Sequence, residues 1–433
     1  MSDNSKDNNG VRRRTFLKGI GATGVTGLAG CLGGGGDGGT DGGTDGGDGG
    51  DGGTDGGDGG TDGGAGPITI GAIQPLSGNF APWGQAHQAG LEFGVNEVNN
   101  NGGVLDGRQL QIVSSDTKSD PAEAATIFQR FVEQDNAVAI TGPVSSDVGI
   151  RTAQSSEQLQ VPLYLHMSGS AQVLTKDSRY TFRVGLLPAP TTMRAQAQLV
   201  EDQGFDKVGA IIADYAWGRS VEKSINQFFP DNVDVNIQVA PIGASDFSPF
   251  LSKMDQDIDM MVATGHPPGE ITIMKQQFQQ GLSPEVTTGA GLPPQVIFGA
   301  LGETATQGFT HLHNTDVYTQ EFADFASRFI QQTGKPVYTH EPYGYVTAKL
   351  IAAAIEDAGS ADPTAIADAT RNIKFDTLFA QPIQYTQWGE LKNQVQIYST
   401  FEAKAPSYYS EGDFRLTEVF RTDPLPAFDP EGF

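Results

Sequence analysis

Ile68-Thr69-Ile70-Gly71-Ala72-Ile73-Gln74 is a run of β-branched and small residues that breaks at Pro75-Leu76-Ser77-Gly78. Behind it, Gln85–Asn100 carries Ala86, Ala89, Phe93 and Val98 near one face at helical spacing. A short apolar strand, a turn and an amphipathic helix make the repeating unit of an α/β protein with parallel strands. The unit recurs downstream. Leu110–Ser115 reads as a second strand, and Asp120-Pro121 opens a helix through Gln134, with proline at the position that needs no N–H donor. Ala137–Thr141 and Pro162–Leu165 read as further strands around a helix from about Ser146 to Leu159.

The rhythm restarts after Pro188-Ala189-Pro190. A helix is expected over Thr191–Gln203, a strand over Lys207–Asp214 and a helix over Arg219–Phe229. Val233, Val235, Ile237 and Val239 alternate as one face of a strand. Asp259–Thr264 follows as a strand, then a helix near Glu270–Gln280. Helices over Gln320–Gln332 and Tyr343–Ala358, and a hairpin-like stretch at Gln387-Trp388-Gly389-Glu390, complete the chain. Two successive α/β patterns of similar size predict two lobes, each with its own sheet.

In open α/β sheets, ligands settle beyond the carboxyl ends of the strands, where helices begin. Gly142–Asp147 is such a junction, and free N–H groups there together with the Ser146 hydroxyl would seat a carboxylate. Ser146 is equally suited to capping its own helix. His166-Met167-Ser168-Gly169-Ser170 follows the strand Pro162–Leu165 in the same way, either as a second contact loop or as a plain turn.

The order of several motifs carries a resemblance. Ile73-Gln74-Pro75-Leu76-Ser77-Gly78 comes first, then Gly84 and Gly90 ahead of Val95-Asn96-Glu97-Val98-Asn99. Asn101-Gly102-Gly103-Val104-Leu105-Asp106-Gly107-Arg108 leads into Leu110-Gln111-Ile112-Val113. Gly142-Pro143-Val144-Ser145-Ser146, Gly302 to Gly308 and Ala354-Ile355-Glu356-Asp357-Ala358-Gly359-Ser360 complete the set. In this order the chain resembles the branched-chain amino acid and amide group of periplasmic-type solute-binding proteins, from about Ile68 to Phe401.

The resemblance implies a type I binding fold, with two Rossmann-like lobes joined by three hinge crossovers and ligand between them. It assigns 67–188 plus 314–392 to the first lobe and 189–313 plus 393–433 to the second. It also implies that Ser168 and Ser170 contact an amino acid's α-groups across the small Gly169, and that Trp83 and Trp217 wall the cleft, one from each lobe. His266 and His340 fall near further contact positions. One departure stands out. Amino acid binders of this kind carry an acid where this chain has Gly291, within Thr288-Gly289-Ala290-Gly291-Leu292. A buried ammonium without a counter-charge is costly. Asp214 or Glu341 would have to supply it, or the ligand is an amide, urea or carboxylic acid.

The amino terminus speaks to location. Arg13-Arg14-Thr15-Phe16-Leu17-Lys18 precedes a short apolar run, Gly19 to Gly30, and resembles a Tat export signal with Arg12 where Ser or Thr is usual. Leu28-Ala29-Gly30-Cys31 resembles a lipobox, so Cys31, the one cysteine of the chain, is the candidate lipidation site. A second acyl chain or signal would be needed for stable anchoring. Residues 32–66 contain almost nothing but Gly, Asp and Thr, a disordered tether with a root-mean-square span of about 30 Å. The expected location is extracytoplasmic, on the outer face of the membrane.

The whole chain carries 27 basic and 52 acidic residues, a net charge of −25. That balance argues against nucleic acid or an anionic lipid surface as a partner. Acidity with scarce lysine resembles haloarchaeal proteins; an ordinary acidic exported protein is the alternative.

Enzyme motifs are not in evidence. Gly19-Ile20-Gly21-Ala22-Thr23-Gly24 matches a dinucleotide fingerprint but lies in the signal segment without a preceding strand. His311-Leu312-His313 would put two imidazoles on one strand face without completing a metal set. The expectation is a monomeric binding component without cofactor, metal or catalytic residue. It would work with an ABC permease and its ATPase subunits, which must be other chains. A secreted hydrolase of small amides or esters, and a ligand-sensing ectodomain served by a separate membrane protein, are the competing readings.

Overall fold

The computed structural model describes residues 66–404 and 414–433. The export motif, Cys31 and the tether through residue 65 therefore lie outside the described residues.

Ile68–Gln74 forms β1, with all seven side chains buried, as its apolar run requires of a central strand. The first half continues through α1 (Ala81–Asn100), β2 (Leu110–Asp116), α2 (Pro121–Glu133), β3 (Ala137–Thr141), α3 (Ser146–Leu159), β4 (Leu163–Leu165) and β5 (Thr181–Arg183). The five strands make one parallel sheet in the order β2-β1-β3-β4-β5, with Ile68 opposite Leu110 and Gln74 opposite Asp116.

The second sheet begins after α4 (Ala189–Gln203), with β6 (Lys207–Ala213), α5 (Ala216–Phe228), β7 (Asp234–Ala240), α6 (Ser248–Leu251) and β8 (Met260–Thr264). It continues through α7 (Gly269–Gln279), β9 (Val286–Thr288), α8 (Pro294–Leu301) and β10 (Phe309–His313). The chain then forms α9 (Gln320–Thr333), α10 (Glu341–Ala358) and α11 (Pro363–Asn372), and returns with β11 (Ile397–Glu402) and β12 (Arg415–Arg421). Strand order is β12-β11-β10-β9-β8-β6-β7, with β6 to β10 parallel and β11 and β12 antiparallel. The expected two-lobed α/β fold is present.

Several helices start earlier than their apolar periodicity indicates, α1 and α5 by the most. Helix α1 begins at Ala81 rather than Gln85, with Pro82 in its first turn, and α5 begins at Ala216 rather than Arg219. Each shift brings a tryptophan, Trp83 or Trp217, into the opening turn of a helix at the strand-end side of its sheet.

Three passages connect the lobes, and side chains bind them to one another. Asn314 Nδ2 donates to the Gly185 carbonyl at 3.2 Å, and Gln396 Nε2 donates to the His313 carbonyl at 2.8 Å. The Tyr343 hydroxyl donates to Asn314 Oδ1 at 2.6 Å and fixes the amide that makes the first link.

Helix α10 lies against α1 at close range. A Cβ at Gly90 would run into the Glu341 carbonyl, so glycine is what lets the two backbones touch. Beneath β5, Arg183 and Glu390 form an ion pair, Nε to Oε1 2.9 Å, with both side chains about 1 % exposed. The Arg183 Nη1 donates on to the Ser168 carbonyl at 2.8 Å, which ties the loop after β4 to the 385–391 turn.

Candidate functional site

Loops at the carboxyl ends of both sheets line a narrow space of roughly 30 Å³ that is open to solvent on one side. From the first lobe it is lined by Phe80, Trp83, Val144, Ser145, Ser146 and Met167; from the second, by Tyr215, Trp217, Gly265, Pro267, Glu270 and Ala290. Leu186, in the first connecting passage, closes the floor. The walls are apolar and aromatic, with polar groups at a few points, the usual make-up of a small-molecule site.

Ser145 and Ser146 supply one polar point. Ser145 is the residue ahead of α3 and makes no side-chain cap; Ser146 is the first helical residue. The hydroxyl of Ser146 accepts from the Ser170 N–H at 3.1 Å, so it does not cap its helix and its own proton is available to a ligand. The leading N–H groups of α3 have no acceptor within the helix and favour negative charge.

The hydroxyls of the loop after β4 are engaged within the protein. Ser168 Oγ donates to the carbonyls of Pro143 and Ser145, 3.0 Å each, and buckles two loops together from behind. Ser170 Oγ meets Ser220 Oγ of α5 at 3.0 Å, bridging the lobes, and Ser220 Oγ also accepts from the Ala171 N–H. Gly169 packs under Trp217, whose ring occupies the place a Cβ would take. Thus Trp83, Ser146 and Trp217 line the space, whereas Ser168, Gly169 and Ser170 support it. His266 stands edge-on to Phe80 and Tyr215, with centroids at 5.0 and 5.1 Å, behind the aromatic wall.

Trp83 reaches across the space. Its Nε1–H donates to the Gly291 carbonyl at 2.9 Å, and His340 Nε2 lies 2.8 Å from the same oxygen. Gly291 has φ +75°, a conformation that favours glycine, and offers a backbone acceptor in place of the acid expected there.

The carboxyl that does line the space is Glu270, in the first turn of α7, which sequence reasoning passed over as a mere helix start. Its side chain is 2 % exposed and folds over Gly289, where any Cβ would collide with it. Oε1 accepts from the Ala290 N–H at 3.3 Å. Burial pushes the carboxyl up to about 8, against that one hydrogen bond. The signal was present: an acid in the first turn of the helix that follows β8 sits where open sheets place ligands. Asp214 and Glu341 do not line the space. Asp214 is exposed and paired with Arg219 at 3.0 Å, while buried Glu341 accepts from the Tyr338 N–H at 3.0 Å.

Beside the site runs a chain of buried imidazoles. His87 stacks on His166 at 4.3 Å, His166 Nε2 lies 3.4 Å from His340 Nδ1, and the ring of His311 stacks on that of His313 at 5.3 Å. Gln74 Nε2 donates to His87 Nδ1 at 2.6 Å, and His311 and His313 are tied to Thr339 and Ser399. Burial holds these rings neutral, with His87 and His340 down to about 3 and His313 to about 4. Among the described residues, no group of three or more His, Cys, Asp or Glu could hold a metal ion, and no helix is long and apolar enough to cross a membrane.

Comparison with known proteins gives this geometry a context. The periplasmic binding protein family model matches residues 67–405. The chain belongs to that family. A Leu/Ile/Val-binding protein, BraC3 of Rhizobium johnstonii, is 25 % identical over 334 residues, covering 76 % of this chain and 89 % of the relative. The leucine-, isoleucine-, valine-, threonine- and alanine-binding protein of Pseudomonas aeruginosa is 24 % identical, covering 75 % and 87 %. Among solved structures, LivJ of Streptococcus pneumoniae with isoleucine superposes with a TM-score of 0.70 at 20 % identity, covering 81 % of this chain and 99 % of that one. A solute-binding protein of Rhodopseudomonas palustris with 3,4-dihydroxybenzoic acid gives 0.71 at 20 %, covering 85 % and 99 %. Both likenesses are of fold. As a periplasmic binding protein the chain binds a solute and is not an enzyme, so the hydrolase reading falls. Periplasmic binding proteins of this type take small molecules and work with ABC permeases.

Proposed function

We propose that this chain is the extracytoplasmic capture component of an ABC importer, taking a branched-chain amino acid or a related small polar solute between its lobes. The space walled by Phe80, Trp83, Tyr215 and Trp217, with the start of α3 at one side, carries this reading. Apolar rings would shed the aliphatic part of a ligand from water, and the Ser145-Ser146 turn would seat its carboxylate. An amide, urea or simple carboxylate remains within the same class. Ser168, Gly169, Ser170 and His266 serve as the supporting layer, and the lobes divide near 188, 313 and 392.

The ligand shifts an open–closed equilibrium toward the closed form by touching both lobes at once. Closure presents one composite surface to the permease, while separate ATPase subunits supply energy. The monomer is tethered by lipidated Cys31 after export through the Tat route, in a halophilic setting that suits its acidity. A thermal-shift and calorimetric screen of amino acids, amides, urea and small carboxylates in concentrated salt tests the assignment. A stabilising ligand whose affinity falls in Ser146→Ala and Trp83→Ala is the expected result. Undiminished affinity in both variants sinks it.

A further inference from the structure

The segment that follows β12 ties itself to both lobes. It leaves the second sheet with the Thr422 N–H donating to the Gln396 carbonyl at 3.1 Å and the Leu425 N–H to the Gln394 carbonyl at 2.8 Å. It then reaches the first lobe. The Phe428 carbonyl accepts from Trp388 Nε1–H at 3.2 Å, in the turn whose Gly389 carbonyl accepts from the Arg183 N–H of β5. Asp429 Oδ2 meets Lys176 Nζ at 2.8 Å, and the same ammonium lies 3.5 Å from the centre of the Trp388 ring. Lys176 belongs to the stretch between β4 and β5. One short 3₁₀ turn later, Pro430–Gly432, the chain is back on the second lobe. The Phe433 ring stands edge-on to Phe428 at 5.3 Å, and Lys223 of α5 lies 4.6 Å from its centroid.

These holds differ in kind from the three covalent passages. Leu425 and Phe428 are buried, whereas Asp429 and Lys223 are exposed. Exposed ion pairs and cation–π contacts are each weak, so either end can let go without unfolding the chain.

We propose that residues 422–433 are a strap that limits how far the lobes swing apart. Its action does not depend on which solute the lobes take. Opening separates α5 from the stretch between β4 and β5, which touch at Ser170 and Ser220. The strap spans the same gap from Asp429 to Phe433. Uncoiling its 3₁₀ turn, from about 2 Å to about 3.4 Å per residue, yields roughly 6 Å of slack. Beyond that, one end must come off. Within it the lobes stay close, which keeps the closed form populated and lowers the conformational cost of capture.

The test is a pulsed-EPR distance measurement on the full chain, in concentrated salt and without added solute. Nitroxides go on Gln129→Cys of α2 and Lys275→Cys of α7, exposed positions on opposite lobes, in a Cys31→Ser background that leaves no other thiol. Asp429→Asn with Trp388→Phe frees the first-lobe end, and Phe433→Ala frees the second. Wild type should give one narrow distribution. Each release should add a population longer by more than about 6 Å. Both releases together should add no more than one does, because a strap restrains only while both ends hold. Lys223→Ala, an exposed change that leaves the strap's own residues intact, should reproduce Phe433→Ala and serves where that variant does not fold.

Distributions identical to wild type in variants that melt cooperatively overturn the proposal. So do effects that add, which mark two independent packing patches, and a wild type already as broad as the released variants.

Discussion

The indole N–H of Trp83, in the first turn of α1, donates to the carbonyl of Gly291, in the loop after β9, across 2.9 Å that separate the two lobes. A single hydrogen bond thus joins a ring that lines the space to the loop on the far side. Its carbonyl is shared with His340, so both bonds depend on the backbone shape that φ +75° imposes at Gly291.

Trp83→Phe removes that bond and keeps a large ring. A hydrogen bond of this kind contributes about 1 kcal/mol, so ligand affinity should drop about fivefold through faster release. Stopped-flow dissociation measures it, and thermal stability without ligand should change little.

Glu390→Gln leaves Arg183 buried and charged with no carboxylate beside it. Breaking a buried pair from one side costs about 3 kcal/mol or more. The denaturant midpoint should fall accordingly with an unchanged slope. Because Arg183 also holds the Ser168 carbonyl, ligand affinity should fall even at temperatures where the variant is folded.

Acid should destabilise the protein steeply. His87, His166, His311, His313 and His340 are all lowered by burial, so the unfolded chain binds more protons than the folded one below about pH 6.5. Stability present above that pH is lost as pH falls toward about 4 and 3, where His313, His87 and His340 titrate in the folded state. Melting temperatures at stepped pH should show it, and His166→Phe should flatten the slope by one proton.

Dilution of salt should lower the melting temperature. With a net charge of −25 the chain repels itself, and molar salt shortens the range of that repulsion to about 3 Å. An unchanged melting temperature between molar salt and dilute buffer would contradict the halophilic assignment.

Much of the fold was legible because its signals are local. Ile68–Gln74 and Ala137–Thr141 are bounded as their apolar runs indicate, since a central parallel strand buries nearly all its residues, with Val138 half-buried. Strands β5 and β9, of three residues each, carry no readable period. Their place comes from neighbours such as Leu163 opposite Thr181 and Met260 opposite Val286. Strand β7 shows the expected alternation only weakly, because it is the edge of its sheet and Val239 is 42 % exposed.

The candidate site divided along the same line. Trp83, Ser146 and Trp217 follow strand ends in sequence and reach the space. Ser168 turned inward because the carbonyls of Pro143 and Ser145 needed a donor, a requirement set by a loop distant in sequence. Glu270 went unread for the converse reason. Its berth is a missing side chain at Gly289, and an absence in one loop says nothing until the helix carrying the acid is seen above it.

The contact of Gly90 on α1 with Glu341 at the head of α10 spans some two hundred and fifty residues of chain. As the polypeptide leaves the ribosome, the opening helix can pack on β1 and β2 but lacks its main helical neighbour until α10 has been synthesised, so the amino-terminal half cannot finish folding first. Assembly is deferred to near the end of translation, and pairing at such long range makes it slow. A cell making this protein must shelter a long, half-built intermediate, and early truncation products have no complete half to fall back on.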